Sequence, residues 1–282
     1  MKVAIIGAGY AGLNAYYSLK GRSVEIISEG ENFTFYTNSY LQDKIARVDF
    51  VRVSKVTEVD LKDGSFKAKQ EEKPDVLIVA VGCNHTEQLK VIRDYISKGG
   101  CISSETKYDE YMAIQSALYL SKRSRAAKYH GEFMKWLGRG VDQKLSNFLE
   151  RNGVDTCESP SHVIPQCNPN LFDEFIPVNS YLMHGRTFVI GDIADYGPKL
   201  GELSMRMGIH VGREISHGLS RFIPIYIHMF QGKKRGLRIV SDVPWGGRKV
   251  IVRESVLYNF MKSFINVYYP LRKGRMGFLV KI

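Results

Sequence analysis

The chain has 282 residues, of which 44% are hydrophobic and 24% are charged, as in an ordinary soluble globular protein. This length can bury the core of one large α/β domain or of two smaller ones, so the composition argues against a disordered chain. No apolar stretch is long enough to span a bilayer and no signal peptide is recognisable, so we expect a cytoplasmic protein.

The net charge of +11 is concentrated near the C-terminus. Residues 232–282 hold twelve lysines and arginines and only two acids, so this segment carries +10. A polyanionic partner would meet the protein there. We do not expect nucleic-acid binding, because no recognition motif accompanies the charge.

The first thirty residues predict a βαβ unit. Lys2–Ile6 is an apolar, β-branched strand, Ala11–Leu19 has helix-compatible residues, and Val24–Ser28 reads as a second strand. Strand, glycine-rich turn, helix and strand in this order are typical of the opening of a doubly wound parallel sheet.

The turn of this unit carries a GxGxxG motif. Gly7 permits the tight turn, Gly9 lets the backbone approach a diphosphate, and Gly12 lets the helix pack closely on the strand. The diphosphate would bind at the N-terminus of the helix. Glu29, at the end of the second strand, can accept hydrogen bonds from an adenosine ribose, and an acid there argues against a 2′-phosphate. The motif predicts a dinucleotide, either NAD or FAD.

Further strands and one clear helix follow along the chain. Phe50–Val59 alternates as a strand does, Asp63-Gly64 supplies a hairpin turn, and Asp75–Val81 is a continuous apolar strand of the kind buried in parallel sheets. Residues 87–150 read as mostly helical. Their clearest element is Val141–Leu149, whose apolar positions share one helical face.

The four cysteines show neither a CxxC pair nor the spacing of metal ligands. They are Cys83, Cys101, Cys157 and Cys167. Four thiols in a chain of this length do not make a disulfide framework, so we expect buried thiols in a reducing compartment and no metal site.

Two later segments resemble motifs of one flavoprotein family. Val76–Gly82 resembles its "ATG" strand, with Val81 where threonine is usual, and Thr187–Ala194 resembles its second FAD motif. The predicted helix from about Leu200 to His217 matches the one that follows that motif. The chain therefore resembles the FAD-dependent pyridine nucleotide-disulfide oxidoreductases, above all type II NADH dehydrogenases and sulfide:quinone reductases. The resemblance implies a Rossmann-like FAD-binding domain and FAD as cofactor.

The resemblance also implies which residues would bind FAD. Five would face the diphosphate, Glu29 the adenosine ribose, and Val56 the adenine; Gly82 would line the cleft, and Asp192, after Gly191, would hold the ribitol. Three more would lie at the flavin, at the start of a helix that can stabilise negative charge on the reduced ring. The diphosphate group is Gly7, Gly9, Tyr10, Ala11 and Gly12, and the flavin group is Gly201, Glu202 and Leu203.

The chain departs from this family in its middle. The family carries a second GxGxxG for NAD(P)H between the two FAD motifs, whereas residues 83–190 contain none. We therefore expect a reduced second α/β domain and doubt that NAD(P)H binds by the usual route. The predicted units are an FAD-binding domain at 1–85 and 155–220, the reduced domain at 86–154, and a basic, amphipathic C-terminal region at 221–282.

The resemblance implies an oxidoreductase that passes electrons from a small-molecule donor through flavin to a quinone at the membrane. Two donors stay open, NAD(P)H and sulfide. Cys83, one residue past Gly82, is the candidate for a catalytic thiol that takes up sulfur. The alternative is an FAD-binding subunit without turnover, serving a regulatory or structural role in a membrane-associated complex. A third reading is an NAD-binding protein without flavin.

Residues 255–269 predict an amphipathic helix with a narrow polar stripe. The stripe residues recur at three- and four-residue steps, and the other positions are apolar or aromatic; the stripe is Ser255, Asn259, Lys262, Ser263 and Asn266. Basic residues flank the helix on both sides. We therefore expect residues 250–275 to contact either the cytoplasmic face of a membrane or a protein partner, including a second copy in a homodimer.

Overall fold

A computed structural model describes residues 1–19, 23–36, 43–218 and 220–281. The elements before residue 100 are β1 (Lys2–Ile6), α1 (Tyr10–Ser18), β2 (Ser23–Ser28), β3 (Asn32–Tyr36), β4 (Asp43–Arg47), β5 (Val51–Val53), β6 (Glu58–Asp60), β7 (Ser65–Lys67), β8 (Glu71–Glu72), β9 (Val76–Val79), β10 (Cys83–Asn84) and α2 (Thr86–Lys98).

The later elements begin at residue 101. They are β11 (Cys101–Ser104), α3 (Glu110–Lys122), β12 (Ala127–Tyr129), α4 (Val141–Arg151), β13 (Val154–Thr156), β14 (His162–Ile164), β15 (Asn168–Pro169), β16 (Met183–His184), β17 (Thr187–Val189), α5 (Gly201–His217), β18 (Tyr226–Gln231), β19 (Gly236–Ser241), β20 (Val250–Ser255) and α6 (Val256–Leu271). Short 3₁₀ helices include Gly191–Ile193 and Gly277–Lys281.

The first sheet is built around the buried strand β1. Its order is β16-β17-β9-β1-β2-β5, and its strands are parallel except β16, which runs antiparallel to β17. Since β2 and β9 pair with opposite edges of β1, the strand order reverses there. Such a switch point leaves a crevice at the carboxyl ends of the strands, where ligands bind. The predicted βαβ unit and Rossmann-like α/β fold are confirmed.

The predicted strand Phe50–Val59 is two strands in the structure. β5 pairs with β2 in the parallel sheet, whereas β6 turns away and pairs with β7 across the hairpin at Asp63-Gly64. The alternation of apolar residues continues through the bend, so the sequence pattern conceals it. The predicted hairpin is confirmed.

The middle of the chain forms a second parallel sheet rather than a mostly helical region. Its order is β13-β12-β11-β14, with α3 and α4 as crossover helices, and β14 comes from beyond residue 154. Its strands have three or four residues each, too few to show a strand period. The predicted helix at Val141–Leu149 is α4 and is confirmed.

The C-terminal region is a three-stranded antiparallel sheet, β18-β19-β20, with α6 packed across it. The helix turns most of its polar stripe inward, although Ser263 stays exposed: Asn259 donates to the carbonyl of Gly232, and Lys262 contacts the Tyr111 hydroxyl. Six of its apolar residues instead reach solvent, with exposures between 38% and 77%: Val256, Leu257, Phe260, Phe264, Val267 and Leu271. In the described part of the chain, no helix is long and apolar enough to cross a membrane.

The four cysteines form two disulfides, so the expectation of buried free thiols was wrong. Cys83 pairs with Cys167, and Cys101 pairs with Cys157. Residues 84 positions apart cannot be matched by spacing, because the fold alone brings their backbones within 5.9 Å, Cα to Cα. The first disulfide ties β10 to the residue just before β15, and these two segments are the crossings between the sheets. The expectation of a reducing compartment rested on free cysteines, so the disulfides remove the reason for it.

Candidate functional site

The glycine turn after β1 is shaped by close backbone contacts. Gly7 has a φ of +106°, and a Cβ there would overlap the carbonyl of Ala80, which follows the neighbouring strand β9. A Cβ on Gly12 would overlap the carbonyl of Gly7 itself. Gly9 is different, since a Cβ there would meet no atom within 4 Å. The turn therefore leaves open space in front of the N-terminus of α1, where a diphosphate is expected.

A first cavity of about 490 Å³ lies on one side of this turn. Gly7, Glu29 and Val56 line it, together with Lys55 and Asn170. Asn170 fixes the cavity wall, because its side-chain amide donates to the carbonyl of Val81 (2.9 Å). A carboxylate at the end of β2 and an apolar wall suit an adenosine.

A second cavity of about 200 Å³ lies on the other side of the turn. Four of the predicted residues line it: Tyr10, Asp192, Gly201 and Glu202. Sequence reasoning missed a further set of polar residues that surround it, namely His85, Tyr111, Lys199, His228 and Lys262. They come from five separate parts of the chain. His85 and Lys199 each lie two residues from a predicted residue, and Lys262 belongs to the predicted polar stripe, but the sequence did not assign any of the five to a cofactor site.

His85 and Asp192 form the electrostatic centre of the second cavity. Nε2 of His85 lies 3.5 Å from Oδ2 of Asp192, and the two side chains are only 16% and 14% exposed. Burial by itself lowers the pKa of His85, but the bond to Asp192 and its charge outweigh burial and raise it. Burial raises the pKa of Asp192, yet bonds to His85 and Ser204 lower it overall. The contact therefore favours the charged form of each partner.

A hydrogen-bonded chain fixes the proton on the other ring nitrogen of His85. Gln88 donates through Nε2 to Oδ1 of Asp109 (3.0 Å) and to the carbonyl of Pro165 (2.9 Å). Its Oε1 must then accept from Nδ1 of His85 (2.6 Å). Nε2 is left to gain or lose a proton, and it lies 3.6 Å from Sγ of Cys83. The disulfide, the imidazole and the Asp192 carboxylate are thus adjacent.

We predict that His85→Gln destabilises the protein mainly between about pH 4 and pH 6.5. The pKa of His85 is higher in the folded than in the unfolded protein. Its contribution to stability is therefore complete at pH values below the unfolded-state pKa and is lost as the pH rises through the folded-state pKa. The pKa of Asp192 is lower in the folded protein, so its contribution is complete above the unfolded-state pKa and is lost as the pH falls through the folded-state pKa. Denaturant unfolding across this range measures the effect. His184→Gln is the control, and a difference from wild type that does not change with pH would contradict the prediction.

Two buried basic groups stand at the far end of the second cavity. Burial lowers the pKa of Lys262 to about 8 and that of His228 to about 3. Nε2 of His228 is buried and lacks a hydrogen-bond partner among the described residues. Glu202, at the start of α5, forms an ion pair with Arg206, and burial raises its pKa. A ligand group that donates or accepts a hydrogen bond would find a partner at this end in Nε2 of His228, whose role follows from the tautomer of the neutral ring.

The remaining predicted residues do not line either cavity. Ala11 and Leu203 are buried and pack in the core, and a Cβ on Gly191 would press on Ala11. Gly82 has a φ of +68° and open space before it. The candidate thiol of Cys83 is bonded to Cys167 rather than free.

The second sheet offers no glycine turn for a dinucleotide. Between β11 and α3 the residues are Glu105 to Asp109, and Asp109 precedes the helix. The buried carboxylate of Glu110 accepts from the backbone amides of Glu132 (2.8 Å) and Met134 (3.0 Å). Burial raises the pKa of both Asp109 and Glu110. Their carboxyl groups nevertheless occupy the helix N-terminus that would otherwise receive a diphosphate.

The sequence matches no protein-family model and no curated protein, but its fold matches solved structures. The sulfide:quinone oxidoreductase of Aquifex aeolicus is similar over 98% of this chain and 92% of its own, with a TM-score of 0.76 and 14% identity.

Two further structures are similar with lower scores. The NAD-dependent persulfide reductase of A. fulgidus covers 85% of this chain and 64% of its own (TM-score 0.57, 15% identity). The NADH:rubredoxin oxidoreductase of Clostridium acetobutylicum is similar over 87% of this chain and 92% of its own (TM-score 0.52, 15% identity). The chain has the fold of the pyridine nucleotide-disulfide oxidoreductases, as its motifs predicted.

Proposed function

We propose that this protein is an FAD-dependent oxidoreductase. The observation that carries the proposal is the order of features along the crevice: a cavity with Glu29, the open turn at Gly9, and a cavity lined by Asp192 and by Gly201 at the start of α5. FAD has the same order of adenosine, diphosphate and isoalloxazine. Bound there, FAD would supply a two-electron carrier.

The residues present fit FAD at each of these places. Glu29 would accept from the ribose hydroxyls, α1 would direct free N–H groups at the diphosphate, and Asp192 would accept from the ribitol. The start of α5 at Gly201 would face the isoalloxazine and favour negative charge on it. A ligand whose portion beyond the diphosphate is shorter than the ribitol and isoalloxazine of FAD would leave the second cavity without an occupant.

We propose a sulfur compound such as sulfide as the electron donor. The acids at Asp109 and Glu110 disfavour NAD(P)H in the second sheet, and the Cys83–Cys167 disulfide adjoins the second cavity through His85. Sulfide attack on Cys167 would form a new S–S bond and break the bond to Cys83. The electron pair of the broken bond would leave on Cys83 as a thiolate, which a protonated His85 would stabilise. A second sulfide would carry the added sulfur away as HSS⁻ while the disulfide re-forms and two electrons pass to bound FAD, so that overall 2 HS⁻ + FAD would give HSS⁻ + FADH⁻.

We predict that sulfide bleaches the flavin absorbance of the anaerobic protein and that NADH does not. Replacing both Cys83 and Cys167 by serine should slow bleaching by sulfide at least about 100-fold, because the acceptor disulfide is lost. Cys101→Ser/Cys157→Ser is the matched control and should bleach at the wild-type rate. Rapid bleaching by NADH would overturn the choice of donor. No bleaching by either would favour FAD binding without turnover.

We further propose that electrons leave to a quinone in a membrane on which α6 lies. A third cavity, of about 170 Å³, runs beneath Phe264 and Phe278 and shares Ile227 and Tyr269 with the second cavity. An apolar carrier could therefore pass from the exposed face of α6 toward the site. Residues 232–282, which include α6, carry a net charge of +10 and would be attracted to the anionic surface of a membrane.

We predict that the protein floats with lipid vesicles and that Phe260→Ser/Val267→Ser weakens this binding at least about tenfold, since two apolar side chains lose their burial in lipid. Val53→Ser/Val163→Ser removes exposed apolar residues on β5 and β14 and should bind as wild type. Flotation measures the binding, and light scattering detects the competing outcome, a dimer through α6.

A further inference from the structure

A basic pocket of about 310 Å³ lies beside the C-terminal turn, away from the two cavities of the crevice. Arg213 and His217 from α5, Arg275 from the tail, and Tyr17 and Ser18 from α1 line it, and no acid does. Within the described ranges neither arginine forms an ion pair. Its volume is at the lower end of small-molecule sites, about 300–1,000 Å³.

The wall of this pocket is held by buried hydrogen bonds rather than formed by a loose tail. Asn14, 1% exposed, donates to the carbonyl of Gly274 (2.9 Å) and accepts from the amide of Met276 (2.9 Å). Tyr17 donates to the carbonyl of Lys273 (3.0 Å), and the guanidinium of Arg275 lies over its ring. Arg275 is therefore set in place before any ligand arrives.

The helix dipole alone does not account for this arrangement. Arg213 and His217 lie in the last turns of α5, where cations are favoured. Arg275 belongs to another segment, and bringing its charge to the same pocket costs repulsion unless an anion compensates it. Arginines in a preformed concave pocket bind phosphate in a forked geometry.

The 3₁₀ helix Gly277–Lys281 connects the basic pocket to the apolar face of α6. Gly277 and Val280 line the pocket, while Phe278 between them is 56% exposed and contacts Tyr268, with ring centres 5.3 Å apart. An anion in the pocket would thus have exposed apolar side chains beside it. A lipid headgroup with its acyl chains meets both requirements.

We propose that the basic pocket binds the phosphate headgroup of an anionic phospholipid. The inference rests on the membrane docking proposed for α6 and deepens it: the apolar face inserts, and the pocket selects the headgroup. The protein would then prefer anionic membranes through one defined site and not only through its diffuse charge.

The test compares vesicles of phosphatidylcholine with vesicles that also contain phosphatidylglycerol. We expect the full-length protein to bind the anionic vesicles more tightly, and Arg213→Gln/Arg275→Gln to lose about tenfold or more of that affinity. Lys234→Gln/Arg235→Gln removes the same charge from an exposed turn and should lose clearly less. Circular dichroism and melting temperature check that each variant is folded.

Each other outcome overturns the proposal in a recognisable way. If both double variants lost the same affinity for anionic vesicles, the preference for anionic lipid would come from diffuse charge and not from the basic pocket. The docking of α6 on the membrane would not be affected by that result. A rise in melting temperature with inorganic phosphate, abolished by Arg213→Gln/Arg275→Gln but without lipid preference, would assign the pocket to a free anion. Failure to bind either vesicle would refute the docking of α6 together with the lipid site.

Discussion

Gly9→Val should weaken FAD binding at least about 100-fold while the protein stays folded. The valine side chain would fill the open space before the N-terminus of α1, where the diphosphate is expected. Losing two charge-assisted hydrogen bonds of about 1.5 kcal/mol each corresponds to about that factor. The backbone at Gly9 has a φ of −87°, which any residue adopts, so the fold itself is not strained. Flavin fluorescence during titration of the apoprotein measures the affinity.

Two further glycine variants separate binding from folding. Gly30→Ala changes a glycine with open space around it that lines neither cavity, and it should bind FAD as wild type. Gly7→Val should instead reduce folded protein, because its Cβ would overlap the carbonyl of Ala80. Normal FAD affinity in folded Gly9→Val would show that the diphosphate does not lie at this turn, and the FAD proposal would fail.

Removing the Cys83–Cys167 disulfide as Cys83→Ser/Cys167→Ser should lower the free energy of unfolding by about 4.5 kcal/mol. The disulfide closes a loop across 84 positions that contains the whole second sheet, so it restricts the unfolded chain strongly. The corresponding loss for Cys101–Cys157, across 56 positions, is about 4.2 kcal/mol. Either change should lower the melting temperature by about 10 °C.

Thermal melting with saturating FAD measures this effect apart from cofactor loss. The oxidised protein is compared with each serine pair and with protein treated with a thiol reductant. Reduction should lower the melting temperature of wild type beyond that of either variant, because it opens both loops. An unchanged melting temperature, together with four titratable thiols in the purified protein, would show that the disulfides are not formed.

The dinucleotide turn could be predicted because its determinants are local. Gly7, Gly9 and Gly12 are needed for contacts within one strand, turn and helix, and Glu29 follows on the next strand, so their spacing carries the information. Asp192 lies far along the chain but sits within a recognisable motif of its own. Sequence by itself therefore determined the Rossmann-like fold and the expected cofactor.

Other features depend on contacts between distant segments and left no local pattern. His85, Tyr111, His228 and Lys262 reach one cavity only because the second sheet and the C-terminal sheet close over it. The short strands of the second sheet have too few residues for a period, and they are defined by pairing instead.

The C-terminal helix and the cysteines show the same limit most clearly. Periodicity located α6 and its polar stripe, but only the packing of the chain decided that the stripe faces inward and that Phe260 faces solvent. Spacing gave no sign that Cys83 would meet Cys167, because the pairing follows from two crossings of the chain brought side by side. The sequence by itself determined which local elements form, and the tertiary structure decided which of their surfaces meet.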